Sequence, residues 1–288
     1  MNRKNFGLIL NLLLPGLMVI SGHILPWSAS ASARPRLIVY KSNFNSLSAG
    51  LTQSFPGAPR QDGWFSELAI SPAYGEIQKD VALGRYALHE FTSPSVPNFT
   101  QTIDKRLITP PDLSRYPLMT LQVDFYAHTT DLNASDIYGA VIVVNGGPFP
   151  GFEILQFSLN SGNGTPKADA GVNVGMSWFN EAANNGEPIP LTVGQNLAWD
   201  TWHSLTLVAD QASDHYVSLK VDGRSEDLSA YTLPRSEVAP GVWERGQFME
   251  EIQAVIAPNS DFGGASDDDI YWDNLLITVE QSHGSGNH

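Results

Sequence analysis

Hydrophobic and polar positions alternate most clearly in two runs, Ser204–Ala209 and Tyr216–Val221. In the first, Leu205, Leu207 and Ala209 fall on one side, with Ser204 and Thr206 on the other. In the second, Val217, Leu219 and Val221 share a side opposite Tyr216, Ser218 and Lys220. Successive side chains of a strand leave opposite faces, so this period predicts half-buried antiparallel strands. The polar segment Asp210–His215 joins them, and Asp222-Gly223 predicts a turn, because Gly takes positive φ readily. The alternation recurs over 118–128, where Leu121, Val123, Phe125 and Ala127 oppose Gln122, Asp124, Tyr126 and His128. Further strand-sized runs lie at 37–40, 77–83, 86–91, 101–108, 139–144, 152–159, 171–178, 252–257 and 270–279. Turn formers such as Thr109-Pro-Pro-Asp112 and Asn145-Gly-Gly-Pro148 separate them. No stretch holds a 3.6-residue period beyond about two turns. The expected fold is all-β, a two-sheet antiparallel sandwich.

Composition narrows the function classes. Thirty acidic against 16 basic residues, a net charge of −14 over 288 residues, argue against nucleic acid or an anionic membrane surface as partner. The balance suits a neutral glycan, a cation, or no charged partner. With no cysteine, neither a disulfide framework nor a thiolate metal site can form. At the N-terminus, Arg3 and Lys4 precede the apolar run Phe6–Ile20 and the small residues Ser28–Ala33. That order predicts a secretory signal peptide over 1–33, cut after Ala33 or alternatively Ala31. A retained anchor is disfavoured because Pro15 interrupts the run and no basic stop-transfer cluster follows. The remaining expectation is one domain over 34–280 and a disordered tail over 281–288. The mature chain would have no membrane span and would be extracellular or periplasmic.

Three elements carry a family resemblance. Gln61-Asp-Gly-Trp64 resembles the opening of secreted concanavalin A-like lectin/glucanase domains, laminin-G modules included. Trp202-His-Ser-Leu-Thr-Leu and Tyr216-Val-Ser-Leu-Lys-Val-Asp-Gly223 resemble their central hairpin. Asp269-Ile-Tyr-Trp-Asp-Asn-Leu-Leu-Ile277 resembles their last strand. The resemblance spans roughly Leu37 to Glu280 and implies a jelly roll of two curved sheets, whose concave face binds sugars in many relatives. Its motifs are structural rather than catalytic.

Glycoside hydrolysis generally uses two carboxylates about 5–10 Å apart. Family-16-type glucanases place theirs as Glu-x-Asp-x-Glu on one strand, and no such run occurs here; Asp267-Asp-Asp-Ile-Tyr-Trp-Asp273 differs in spacing and type. The Arg-rich strand, Gln-x-His element and Tyr-containing closing motif of alginate lyases are not found together. Nor is there a Gly-x-Ser-x-Gly elbow, a phosphate loop or a His-Glu-x-x-His helix. The expectation is therefore carbohydrate binding without catalysis, with Tyr126 or Trp243 for stacking and Asp124 and His128 for hydroxyl groups. For Asp124, Tyr126 and His128 the competing reading is an ordinary solvated sheet face. Trp178, Trp202 and Trp272 are expected in core or rim packing. The catalytic alternative is a polysaccharide hydrolase or lyase that brings Glu153, Asp124 and His128 into one cleft. A third reading is an adhesive or structural surface protein.

Asp273 shares its parity with Leu275, Ile277 and Val279, and a carboxylate on an apolar side is costly unless paired. The resemblance implies a structural Ca²⁺ between first and last strands, and Asn43 and Asn45 lie where a partner for Asp273 would sit, with Asn45 and Asp273 the expected ligands. A backbone cap without metal is the equal alternative. Asp261 and Asp267–Asp269 read as another cation site or as solvated loop. Asn98-Phe-Thr, Asn133-Ala-Ser and Asn163-Gly-Thr read as surface loops.

Overall fold

The computed structural model describes residues 35–45, 47, 50–51, 62–68, 74–79, 86–91, 102–129, 137–145, 152–161, 171–246, 249–258 and 268–281. The expected signal peptide, the three sequons, Asp261, Asp267 and the tail from 282 lie outside them. In chain order the strands are β1 (Arg36–Ser42), β2 (Gly50–Leu51), β3 (Trp64–Leu68), β4 (Tyr74–Lys79), β5 (Tyr86–Phe91) and β6 (Thr102–Leu107). Then follow β7 (Leu118–Thr129), β8 (Ile137–Asn145), β9 (Phe152–Ser161), β10 (Val172–Gly175), β11 (Ser177–Asn180), β12 (Asn185–Pro188) and β13 (Trp202–Asp210). The last are β14 (His215–Val221), β15 (Arg224–Asp227), β16 (Ser236–Ala239), β17 (Val242–Glu244), β18 (Glu251–Pro258) and β19 (Asp268–Glu280). No helix occurs among the described residues, and none is long and apolar enough to cross a membrane.

Two antiparallel sheets form the expected all-β jelly-roll sandwich. The nine-stranded sheet runs β15-β14-β13-β7-β19-β5-β4-β2, with β1 also pairing β19. The six-stranded sheet runs β10-β9-β8-β18-β6-β3. Two further hairpins, β11–β12 and β16–β17, stand apart from both. The sheets meet through Trp272 of β19, whose ring lies 6.4 Å from Phe125 of β7 and 6.1 Å from Phe157 of β9. Leu121, Val123, Phe125 and Ala127 are all buried, as their alternation predicts. Each large apolar side chain so placed contributes about 2 kcal/mol.

The opening element works as a plug. Asp62 and Gly63 take positive φ, turning the chain so that Trp64 enters the core. Its indole N–H donates to the Tyr40 hydroxyl at 2.8 Å, which donates to Asp62 Oδ2 at 2.7 Å. Burial first, and then the bond to Asp62, push the Tyr40 phenol well above its ordinary pKa. The Asp222-Gly223 turn also forms as expected, with φ of 49° and 82° linking β14 to β15.

Two irregularities overturn local readings of parity. The β13–β14 register shifts between Val208 and Ala209. Tyr216 is consequently fully buried and Val217 is 37% exposed, the reverse of the plain alternation. The Tyr216 hydroxyl is accommodated because it donates to the Ser177 carbonyl at 3.1 Å. In β19 the shift falls between Asp273 and Leu276, where Asn274 has φ 49°. An extra residue moves everything before it to the other face. Asp273 thus shares the parity of Tyr271 rather than that of Leu275 and Ile277, and lies opposite Asp124 in register.

Candidate functional site

The sandwich has two outer faces, and both carry chemistry. On the nine-stranded sheet, Trp202, Tyr126, Tyr271 and His89 occupy one transverse row across β13, β7, β19 and β5. Their rings touch in series: Trp202 to Tyr126 at 5.7 Å, Tyr126 to Tyr271 at 5.7 Å, and Tyr271 stacked on His89 at 4.3 Å. An imidazole–carboxylate pair flanks each end. His89 Nε2 lies 2.7 Å from Asp269 Oδ1, and His128 Nδ1 lies 2.5 Å from Asp200 Oδ1. Beside the row, Asn274 Nδ2 donates to Asp124 Oδ2 at 2.6 Å. The structure therefore gathers Asp124, Tyr126 and His128 on one face, as expected, but engages them with their neighbours.

Trp243 is not among them. It lies half-buried in β17, its ring 5.4 Å from Phe179 of β11. Trp272 is a core residue and Trp178 packs at the core's edge, 5.5 Å from Tyr231. Trp202, by contrast, belongs to the outer row. Glu153 belongs to β9 of the six-stranded sheet, whereas Asp124 and His128 belong to β7 of the other. The trio expected to form one cleft is thus divided between the sheets and cannot act together. The side chain of Glu153 lies outside the described residues.

Asn45 and Asp273, the residues expected to hold a cation, each accept a backbone N–H. Asn45 is exposed, and its Oδ1 accepts the Tyr86 backbone N–H at 2.9 Å. Asp273 is fully buried, and its Oδ1 accepts the Asn274 N–H at 2.7 Å. Among the described residues no group of three or more His, Asp or Glu is arranged to hold a metal.

The outer face of the six-stranded sheet is different in kind. Phe157 and Leu159 of β9 point into the core, so Gln156, Ser158 and Asn160 point away from it. These three floor a cavity of about 470 Å³ walled by Gly175, Met176, Ser177, Gly186, Glu187 and Pro188. Chain order makes the wall: β10 ends at Gly175 on the sheet edge, and the β11–β12 hairpin follows at once. Gln156 Nε2 donates to Ser177 Oγ at 3.1 Å, and Ser158 Oγ donates to the Gly175 carbonyl at 3.3 Å. A Cβ at position 175 would stand 2.8 Å from Ser158 Oγ and 3.0 Å from Asn160 Nδ2. Glycine there leaves room for the floor side chains.

The same face continues to β18. Ile252 and Ala254 enter the core, so Glu251 and Gln253 face outward, yet they are only 6% and 2% exposed. Gln253 Nε2 donates to Glu251 Oε1 at 2.5 Å. Gln253 is in register with Ile142 of β8, which is in register with Gln156. Glu251 is in register with Val144, the partner of Glu153. Glu251 and Gln253 thus share the face of the cavity without being among its lining residues, and a sheltered carboxylate held by an amide is a group suited to proton exchange. From the sequence alone Ile252–Ala257 reads only as a strand, although the alternation Glu251, Ile252, Gln253, Ala254 carries the signal.

One loop fastens the cavity wall to the opposite sheet. Glu226 Oε2 of β15 accepts Thr192 N–H at 2.8 Å, Val193 N–H at 3.0 Å and the Thr192 hydroxyl at 3.1 Å. Burial raises the Glu226 pKa, but the bonds from Val193 and Thr192 outweigh it and hold the carboxyl below its ordinary value.

No family model matches the chain, and no curated protein matches it. Solved structures do. One reported with endo-acting O-glycanases of the human gut microbiota aligns at 10% identity, covering 85% of this chain and all of its own, with a TM-score of 0.50. A carbohydrate esterase of a Shiga toxin-encoding bacteriophage aligns at 14% identity, covering 84% of this chain and all of its own, TM-score 0.46. An alginate lyase aligns at 15% identity, covering 87% and 100%, TM-score 0.46. The chain shares the fold of the first of these. The expectation of carbohydrate binding without catalysis is corrected in favour of its catalytic alternative, since the first of these structures is reported with endo-acting O-glycanases. The face on which that expectation rested also has its polar groups engaged with one another.

Proposed function

We propose that the protein is a carbohydrate-processing enzyme that holds a glycan along the outer face of the six-stranded sheet. One observation carries the reading: a cavity of about 470 Å³ floored by Gln156, Ser158 and Asn160 shares a face with the sheltered Glu251–Gln253 pair. Gln156, Ser158, Asn160 and Ser177 supply the mixed donors and acceptors that sugar hydroxyls need. Glu251 is the group for proton transfer, and Gln253 fixes its orientation. The catalytic names attached to solved structures of this fold favour the same class. Export through the segment 1–33 suits an enzyme whose polymeric substrate cannot enter a cell.

The test uses the chain from Arg34 onward with a panel of soluble and insoluble polysaccharides, following new chain ends. New ends that disappear in Glu251→Gln, with the melting temperature unchanged, support the reading. Cleavage that survives Glu251→Gln but is lost in His128→Ala would move the site to the other face. The structural Ca²⁺ expected at Asn45 and Asp273 is tested with the same protein. Because the Asn274 N–H already caps that carboxylate, we expect chelator to leave the melting temperature unchanged; a fall of several degrees would place a cation there.

A further inference from the structure

We infer that a second cavity, at one end of the sandwich, binds a sugar unit of a glycan apart from the proposed cleavage site. It measures about 700 Å³, and Pro111, Asp112, Leu113, Gln211 and Arg245 are among its lining residues. None of its lining residues is shared with the cavity on the six-stranded face. Three segments remote in sequence meet there. Residues 108–117 carry the chain from β6 of one sheet to β7 of the other, Gln211 and Ala212 lie in the β13–β14 turn, and Arg245 lies between β17 and β18. Gln211 is the telling residue, because it is only 8% exposed. Its backbone is engaged: the N–H donates to the Pro117 carbonyl at 2.9 Å, and the carbonyl accepts from Arg245 Nη1 at 3.1 Å. Its side-chain amide has no hydrogen-bond partner among the described residues. A buried amide left unpaired is costly, and in this cavity a ligand can pair with it.

The neighbouring polar groups are fixed with atoms to spare. Asp112 Oδ1 accepts the Ser114 hydroxyl at 2.6 Å, the Ser114 N–H at 3.1 Å and the Arg115 N–H at 3.3 Å, which leaves Oδ2 for a ligand. The bond from the Ser114 hydroxyl, above all, holds the Asp112 carboxyl below its ordinary pKa, so it stays an acceptor. Arg245 Nη1 is anchored to Asp214 Oδ1 at 3.0 Å, and Asp214 Oδ2 accepts from Arg235 Nη2 at 3.0 Å. A pyranose ring presents an apolar C–H face and a rim of hydroxyl groups, each both donor and acceptor. Pro110, Pro111, Leu113 and Pro117 offer the apolar surface, while the Gln211 amide, the Asp112 carboxylate and the Arg245 guanidinium offer acceptors and donors. The loop is also set in advance. Its prolines fix φ, and the Asp112 carbonyl accepts the Arg115 and Tyr116 N–H groups at 3.1 and 2.9 Å. Little ordering is then lost on binding.

Calorimetric titration of the same protein with short oligosaccharides of glucose, mannose, N-acetylglucosamine and uronate tests the site, beside melting curves. Gln211→Leu removes the unpaired amide, Ala212→Trp fills the cavity from its exposed side, and Gly175→Ala alters the other cavity. A binding event weakened about tenfold or more in Gln211→Leu, blocked in Ala212→Trp and unchanged in Gly175→Ala carries the inference. Gln211→Leu should melt no lower than the parent, because the amide it removes has no protein partner to lose. A fall of several degrees would make that amide structural and overturn its role. Sugar binding that survives both Gln211→Leu and Ala212→Trp overturns the inference, as does a parent protein that binds none of the sugars. The readout is binding, so failure of cleavage, or cleavage that ignores Glu251→Gln, counts against the proposed function alone.

Discussion

The two outer faces of the sandwich make opposite uses of polar residues. The face of the nine-stranded sheet holds the more reactive-looking set, with two imidazole–carboxylate pairs, two tyrosines and a tryptophan. Those groups lie on one another, ring against ring and carboxylate against imidazole, and the row reads as a brace across four strands. The face of the six-stranded sheet carries plainer amides and hydroxyls, but it has space above them and a sheltered carboxylate within the same sheet. Residue type alone therefore points to the face opposite the one we propose. What makes a site is polar groups that face a cavity large enough to admit a ligand.

The sharpest way to break this contrast is to remove the proton-transfer group from the open face. Glu251→Gln keeps the shape of the side chain, and kcat is expected to fall at least about 100-fold, the usual loss for an acid–base group. Steady-state rates on the glycan found in the panel, beside a melting curve, check it; an unchanged kcat would empty the comparison of meaning. The face of the nine-stranded sheet should respond in the opposite way. Tyr126→Ala deletes contacts to Trp202 and Tyr271, so stability should drop by about 1–3 kcal/mol in urea melts, with kcat/KM held within twofold. A tenfold loss of kcat/KM at unchanged stability would reverse the assignment of the faces. A smaller effect belongs to Gly175→Ala, whose methyl group would press on Ser158 and Asn160. KM is expected to rise about 3–10-fold, roughly 1 kcal/mol, with kcat little changed, because the floor shifts but the acid group does not.

The smallest effect is read in acid. Glu226 has its pKa lowered in the folded protein, so its contribution is present above the ordinary glutamate value and fades as pH falls through the lower folded value. After allowance for its partial exposure, that contribution is about 1 kcal/mol. Glu226→Gln should cost this much at neutral pH and nothing extra at low pH, where the parent loses the same bonds. Parallel pH–stability curves for parent and variant would show that the loop is fastened by other means.

Much of the fold was legible along the chain. The β7 run sorted correctly to the last residue, because a strand uninterrupted by a bulge keeps a strict period of two. Trp64 and Trp272 were placed in resemblance-bearing motifs, and both are buried. Tyr216, Val217 and Asp273 were misread because register shifts between Val208 and Ala209, and around Asn274, reset the alternation midway. An aspartate-asparagine pair in a strand looks the same whether or not the asparagine takes φ of 49°. The functional residues proved harder. Asp124, Tyr126 and His128 do share a face, but their engagement with Asn274, Trp202 and Asp200 depends on residues 72 to 150 positions away.

Local alternation and turn chemistry were thus enough to establish an all-β chain of paired strands with one wet side, since each signal spans only neighbouring residues. Which sheet each strand joined, and so which face stayed open, depended on pairings between segments far apart. Glu153 and Glu251 stand in one transverse row because β8 lies between β9 and β18. Asp124 and His128 stand in the other sheet because β7 lies between β13 and β19. Those adjacencies follow from how two curved layers bury their apolar sides against each other, a property of the whole assembly that no single stretch contains.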